Sequence, residues 1–176
     1  MSADTEVKKR LKELTLVFCR RTDQNGTKEI LLGMKKRGFG KGKWNGFGGK
    51  LEPGETVVDA AKRELLEESH VTAHELSPRG ILIFNVPSYP STMKVFVYEA
   101  TAYEGEPKES EEMQPKWFQE TELPQKEMWP DDSYWMPMFL AGKLFYGQFD
   151  YRDDENIEKH SLVDMPSVEA LQEASS

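Results

Sequence analysis

Residues 56–69, "TVVDAAKRELLEES", constrain the fold most, because they spell an amphipathic helix in a chain whose other apolar runs mostly spell strands. A helix with one apolar face needs a sheet or another helix on which to bury it. Thr56 followed three residues later by Asp59 is a variant of the capping box, and good helix formers continue to an expected end near Ser69 or His70. On a helical wheel Glu64, Glu67 and Glu68 fall in one arc about 100° wide, shared with Val57, Ala60 and Ala61. The acids therefore occupy the face expected to look inward. One reading is a solvated acidic stripe relieved by Arg63, four residues before Glu67. The other is the wall of a cleft, where like charges at i and i+4 cost about 0.2–0.5 kcal/mol even when exposed, and more when buried, unless a cation enters. Hard divalent ions take oxygen ligands, and Mg²⁺ typically uses one or two carboxylates plus substrate phosphates and water.

The flanking segments supply the sheet. "LTLVFCR" and "EILLGMK" read as antiparallel strands joined by a tight hairpin at Asn25-Gly26. "RGFGKGKWNGFGGK" follows, with six glycines in fourteen residues, and reads as a loop rather than a strand or helix interior. "RGILIFNV", "TMKVFVYEAT" and the short "PKWFQ" are further strands. "SYWMPMFLAG" is a second helix, preceded by Asp131 and Asp132 and closed near Gly142. "KLFYGQFDY" is the last expected strand, and "SVEALQEASS" is expected to fray. This order predicts an α+β fold in which helices cover a mixed sheet. With 176 residues and 38% hydrophobic content, one core is affordable. The expected domain spans 14–160, after a charged N-terminal extension over 1–13 and before a C-terminal segment over 161–176.

A net charge of −8 argues against a nucleic-acid polymer as partner. Cys19 is the single cysteine, and His70, His74 and His160 are scattered, so neither a disulfide nor a zinc site is expected. "MSADTEVKKRLKE" is too charged for a signal peptide, and no apolar run approaches the roughly 20 residues of a membrane span. A cytoplasmic protein is expected, with mitochondrial or nuclear addresses left open. No spare apolar surface announces itself, which favours a monomer with no membrane partner.

"GGKLEPGETVVDAAKRELLEESHV" resembles the Nudix box: Gly49, Glu55, Arg63-Glu64-Leu65, Glu67-Glu68 and Val71 stand at the family's spacing, while the family's late glycine is His70 here. The resemblance implies the Nudix fold, an α/β/α sandwich, and Mg²⁺-assisted hydrolysis of a nucleoside diphosphate linked to another group, with Mn²⁺ as an alternative ion. By that resemblance Glu64, Glu67 and Glu68 hold the metal beside the Gly48 carbonyl, Glu112 of "ESEEM" is an additional ligand, and Glu68 is favoured to take the proton. Histidine adopts the positive φ expected of the missing glycine at a cost of order 1 kcal/mol.

From about Leu14 to Tyr151, "LLGMKKRGFGKGKWNGFGGK" and "MWPDDSYW" resemble the branch of the family that hydrolyses oxidised purine nucleoside triphosphates. A purine offers broad faces and an edge of donors and acceptors. Trp129, Phe39 and Phe84 can stack, and Asn45, Asp131 and Asp132 can read the edge. The resemblance places Thr15 and Lys35 in the same cavity and extends the substrate wall to Phe47, Gly48, Gly49, Lys50 and Pro130. Taken singly, each aromatic is equally a core residue and the aspartates are equally helix caps. Two close carboxylates in a dry pocket share a proton, and moving that proton would let one pocket accept 8-oxoguanine and 2-oxoadenine. Lys35, Lys36, Arg37, Lys41 and Lys43 either draw in the triphosphate or form a solvated basic loop. The expected function is conversion of oxidised purine triphosphates such as 8-oxo-dGTP and 2-oxo-dATP to monophosphate and pyrophosphate. The alternatives are a Nudix hydrolase of another nucleoside diphosphate derivative and a nucleotide-binding module without turnover.

Overall fold

In the computed structural model, which describes residues 9–176, alternation along β1 (Leu11–Thr22) sends Val17 and Cys19 to one face of the sheet and Phe18 to the other. The same alternation in β2 (Lys28–Lys35) separates Leu31 from Ile30 and Leu32. This two-residue period builds two hydrophobic clusters on opposite faces. Helix α1 (Val57–Ser69) covers the Val17 face through Ala61 and Leu65. Full burial of Leu65 contributes roughly 1.5–3 kcal/mol. Helix α2 (Asp132–Leu140) covers the Phe18 face through Trp135, Met136 and Phe139. The expected helix–sheet–helix sandwich is the observed one.

The sheet is mixed, as expected. β5 (Thr92–Glu104) runs parallel to β1, β4 (Thr72–Asn85) lies antiparallel to β5, and β7 (Leu144–Asp153) runs parallel to β4. β2 pairs with β1 only over Arg20–Thr22, and with β6 (Met113–Gln119) along its length. Past that short contact, β1 and β2 diverge. β3 (Trp44–Asn45) pairs with β2, while Phe47 and Lys50 bridge to Val17 and Leu14 of β1. The second half of the glycine-rich segment is thus short pieces of extended chain, not loop alone, and it fills the fork where the site lies.

Three local expectations are corrected. The hairpin turn is Asp23–Gly26, closed by Gly26 N–H to the Asp23 carbonyl at 3.0 Å, with Gln24 and Asn25 at its centre. The Asp23 carboxylate takes the Asn25 and Thr27 N–H groups at 2.8 Å each, so that side chain outcompetes an Asn-Gly turn. "KLFYGQFDY" is not the last strand, because β8 (Asn156–Met165) pairs antiparallel with β7 across the expected boundary at residue 160. An exposed edge strand needs no strong apolar alternation, which hid it. "SVEALQEASS" does not fray: Ser167 caps α3 (Val168–Ala174) and Leu171 is buried. Of the expected N-terminal extension, residues 1–8 lie outside the described residues, and β1 begins at Leu11.

Helix α1 starts and stops as its sequence demands. Thr56 accepts the Asp59 N–H at 3.1 Å and donates its hydroxyl to the Asp59 carboxylate at 2.8 Å. His70 closes the helix at φ 64°, with its N–H on the Leu66 carbonyl at 2.9 Å. Ser69 secures that end, donating to the Leu65 carbonyl at 2.6 Å and accepting the Val71 N–H at 3.2 Å.

Candidate active site

A cavity of about 360 Å³ opens in the fork between β1 and the glycine-rich segment, at the lower end of the range of about 300–1,000 Å³ for small-molecule sites. Of the residues expected to act on substrate, Thr15, Lys35, Phe39, Asn45, Gly48, Gly49, Lys50, Glu68, Phe84, Trp129, Asp131 and Asp132 line it. Phe47 does not. It is wholly buried in the core beneath α1 and contributes its backbone pairing with Val17 instead. Pro130 lines a separate hollow with Met136 and Pro137, not the cavity.

The acidic part of the site is built by close packing of backbone on carboxylate. A Cβ at Gly48 would stand 1.8 Å from the Thr15 carbonyl oxygen, and one at Gly49 would stand 2.6 Å from Glu64 Oε1. At Gly48 the clash is with backbone, so only glycine lets the chain pass; at Gly49 any side chain would push the Glu64 carboxylate aside. Gly48 donates its N–H to Glu68 Oε1 at 3.1 Å. Glu68 is buried, and its pKa is pushed up to about 8 by that burial, with Glu64 and Glu112 adding and Lys35 opposing. Burial also raises Glu64, against the pull of Arg63. Glu67 departs from the inward expectation, since its carboxylate is 58% exposed and meets Arg63 at 3.3 Å.

Arg63 is the clamp that the sequence presented only as charge relief. Its guanidinium reaches Glu55 at 2.7 and 2.9 Å, Glu64 at 3.0 Å and the Lys50 carbonyl at 3.2 Å. It ties the helix to the preceding loop and holds the Glu55 carboxyl down at about 2. Glu112 has its oxygens on Lys35 at 3.0 Å and Arg37 at 2.6 Å. Of the basic residues expected to draw in a triphosphate, Lys36 pairs with Glu109 and Lys43 with Glu155, as Lys35 and Arg37 do with Glu112.

The aromatic part has a different chemistry. Phe39 stacks on Trp129 with ring centroids 5.1 Å apart and meets Tyr89 at 5.0 Å, while Lys43 sits 4.9 Å over the Trp129 ring. Phe84 lines the cavity while stacked on Phe149 at 5.8 Å. Asp131 and Asp132 are both buried. Asp131 accepts the Tyr151 hydroxyl on one oxygen and the Trp135 indole N–H, at 2.7 Å, on the other. Asp132 Oδ2 and Thr15 Oγ1 are buried with no hydrogen-bond partner among the described residues. A buried polar atom without a partner in a cavity wall awaits one from the cavity's occupant. Tyr151, Trp135 and Tyr89 were not found from sequence, since each looks like any core aromatic until the fold brings it to Asp131 or Trp129.

The NUDIX domain profile matches residues 14–139. The chain belongs to the Nudix family. It is 49% identical over 138 residues to the oxidized purine nucleoside triphosphate hydrolase of Mus musculus, covering 78% of this chain and 88% of that one. It is also 49% identical over 139 residues to the protein of the same name from Danio rerio, covering 79% and 89%. A crystal structure of a MutT protein from Bacillus halodurans superposes with a TM-score of 0.72 at 28% identity, covering 86% of this chain and 97% of that one.

Nudix hydrolases use a divalent metal, and this chain's residues fit one. Glu64 and Glu68 converge on Gly48–Gly49 with both carboxyls raised by burial, a state that a cation would reverse. Among the described residues no three His, Cys, Asp or Glu side chains form a ready cage. That suits an ion which completes its shell with phosphate and water. No described helix is long and apolar enough to cross a membrane.

Proposed function

We propose that this Nudix hydrolase converts oxidised purine nucleoside triphosphates, 8-oxo-dGTP and 2-oxo-dATP among them, into the monophosphate and pyrophosphate, using Mg²⁺. The observation that carries the reading is the unpartnered Asp132 Oδ2 beside Asp131, whose two oxygens each accept one hydrogen bond, next to Trp129: a buried carboxyl pair suited to the polar edge of a stacked base. The names of the mouse and zebrafish relatives support the same substrate class.

Each residue has a part in this reading. Trp129 and Phe39 stack on the base, Asn45, Asp131 and Asp132 read its edge, and Thr15 Oγ1 supplies a further polar contact. A base that lacks one expected hydrogen bond leaves a buried group unpaired, at a cost of roughly 1–3 kcal/mol, which sets the preference over normal purines. Glu64 and Glu68 would hold the ion, with Glu67 at their exposed flank and the Gly48 carbonyl alongside. When bound, the ion neutralises charge on the phosphate bridge and acidifies the attacking water. Glu68, oriented by the Gly48 N–H, takes that water's proton as it attacks the β phosphorus. Arg63 keeps Glu64 in place and takes no proton itself.

The test is a nucleotide panel with Mg²⁺ in ¹⁸O-labelled water, with products identified by mass. We expect monophosphate and pyrophosphate from oxidised purine triphosphates, with ¹⁸O in pyrophosphate. Faster turnover of dinucleotides or sugar nucleotides would overturn the assignment.

A further inference from the structure

Three turns of unequal firmness stand at the rim of the cavity. The turn between β4 and β5, residues 86–91, carries Tyr89 and is held from several sides. It is closed by the Tyr89 N–H on the Val86 carbonyl at 3.0 Å. Lys9 donates to the Val86 and Tyr89 carbonyls at 3.1 Å each, and Ser88 donates to Asp154, on the turn between β7 and β8, at 2.6 Å. From that second turn Glu155 holds Lys43, at the base of the glycine-rich tip, at 3.0 Å. The tip itself is looser. Phe39 stands between Gly38 and Gly40, at φ 75° and 80°, is 39% exposed, and makes no backbone hydrogen bond to a described residue.

Phe39 is the ring shared by two aromatic contacts. It lies on Trp129 with centroids 5.1 Å apart and planes at 28°, and it meets Tyr89 at 5.0 Å and 58°. All three rings line the cavity. A ring on a glycine-flanked tip can yield when a flat base enters, and a fixed neighbour then decides where it comes to rest. We propose that Tyr89 is a positioning residue, the fixed post of an aromatic clamp whose moving jaw is Phe39. It backs Phe39 against a base stacked on Trp129 and so keeps bound substrate from leaving. The proposal rests on the base-binding reading given above and deepens it. Because the chemistry belongs to Glu64 and Glu68 on α1, loss of the clamp acts on binding and not on turnover.

The test is calorimetry of 8-oxo-dGMP, which carries the base but no phosphoanhydride to break, on the full chain, together with KM and kcat for 8-oxo-dGTP. Tyr89→Ala should raise Kd and KM about five- to tenfold with kcat within about twofold. Tyr89→Phe, which keeps the ring, should stay at wild-type values. Because Tyr89 acts through Phe39, the double variant Phe39→Ala/Tyr89→Ala should bind no more weakly than Phe39→Ala alone. Losses that multiply in the double variant overturn the proposal, as does a Tyr89→Phe variant as weak as Tyr89→Ala. Should Tyr89→Ala not fold, Tyr89→Leu, which fills the space without a flat ring, should raise Kd and KM by about threefold, and wild-type values for it would overturn the clamp. Wild-type protein that binds no 8-oxo-dGMP defeats the substrate reading; wild-type protein that binds it, with Tyr89→Ala within about twofold, defeats the clamp alone.

Discussion

The molecule contains two crowded groups of carboxylates that solve the same electrostatic problem in different ways. On α1, Glu64 and Glu68 lie against Gly48–Gly49 with the Arg63 guanidinium at one flank and Lys35 at the other. Beside Trp129, Asp132 feels the charge of Lys43, and Asp131 leans on neutral donors, Tyr151 and Trp135. The first group is built to be neutralised by cations, the second by a proton and hydrogen bonds. Carboxylates that are to hold a metal need to be able to ionise. A site that reads a neutral base needs fixed donors and acceptors. The contrast teaches that acidic clustering alone does not announce a metal; the neighbours decide.

Glu68→Ala should have the largest effect, removing the proton acceptor and lowering kcat by about 10²–10⁴-fold while nucleotide binding by calorimetry remains. Full activity would remove Glu68 from the mechanism and dissolve the contrast.

Stability against pH sharpens it next. A glutamate raised from about 4.5 to about 8 binds more protons in the folded chain than in the unfolded one across that window. In metal-free protein the Glu68 contribution is therefore fully present below about 4.5 and is lost, on the order of a few kcal/mol, as pH rises through about 8, whereas Glu55, Glu112 and Asp153, all lowered, act in the opposite direction at lower pH. Thermal melts should show this decline, and saturating Mg²⁺ should flatten it. In Glu68→Gln the part owed to Glu68 should vanish, leaving the parts owed to Glu64, Asp131 and Asp132, which share its direction. A melting profile that ignores both metal and Glu68→Gln would contradict the assignment.

The aspartate pair should break asymmetrically. Asn cannot switch between donor and acceptor, so Asp132→Asn should raise KM for one of the two oxidised bases more than for the other, whereas Asp131→Asn sets an amide against the Tyr151 and Trp135 donors and should raise KM about 10–100-fold for both. Equal effects would mean that the two carboxyls are interchangeable. Smallest of all, His70→Gly should relieve the left-handed strain at the end of α1 and stabilise the fold by about 1 kcal/mol without changing kcat. It serves as the control that alters the acidic helix without touching either cluster.

Much of the site was legible because its chemistry is local in sequence. The cap at Thr56, the length of α1 and the positions of Glu64 and Glu68 follow from spacing along one helix. The replacement of the expected glycine by His70 left the helix end intact, because backbone geometry there is also held by Ser69. Three readings failed where a contact is nonlocal or a competitor is short-range. Glu67 lies exposed at the edge of the arc, on an Arg63 that also holds Glu55 and Glu64, a sharing that no wheel shows. The Asp23 turn depends on a side chain that outcompetes the Asn-Gly pair. Strand β8 carries too many charges to look like a strand and exists because the edge of β7 accepts it.

Sequence by itself therefore determined the elements, their order and the residues able to hold an ion or stack on a base, because hydrogen bonding and apolar period act over a few residues. Only tertiary structure decided which carboxylates are dry and which are paired. Burial and hydrogen-bond saturation are set by groups distant in the chain: Tyr151 lies 20 residues from Asp131, and Gly48 lies 20 residues from Glu68.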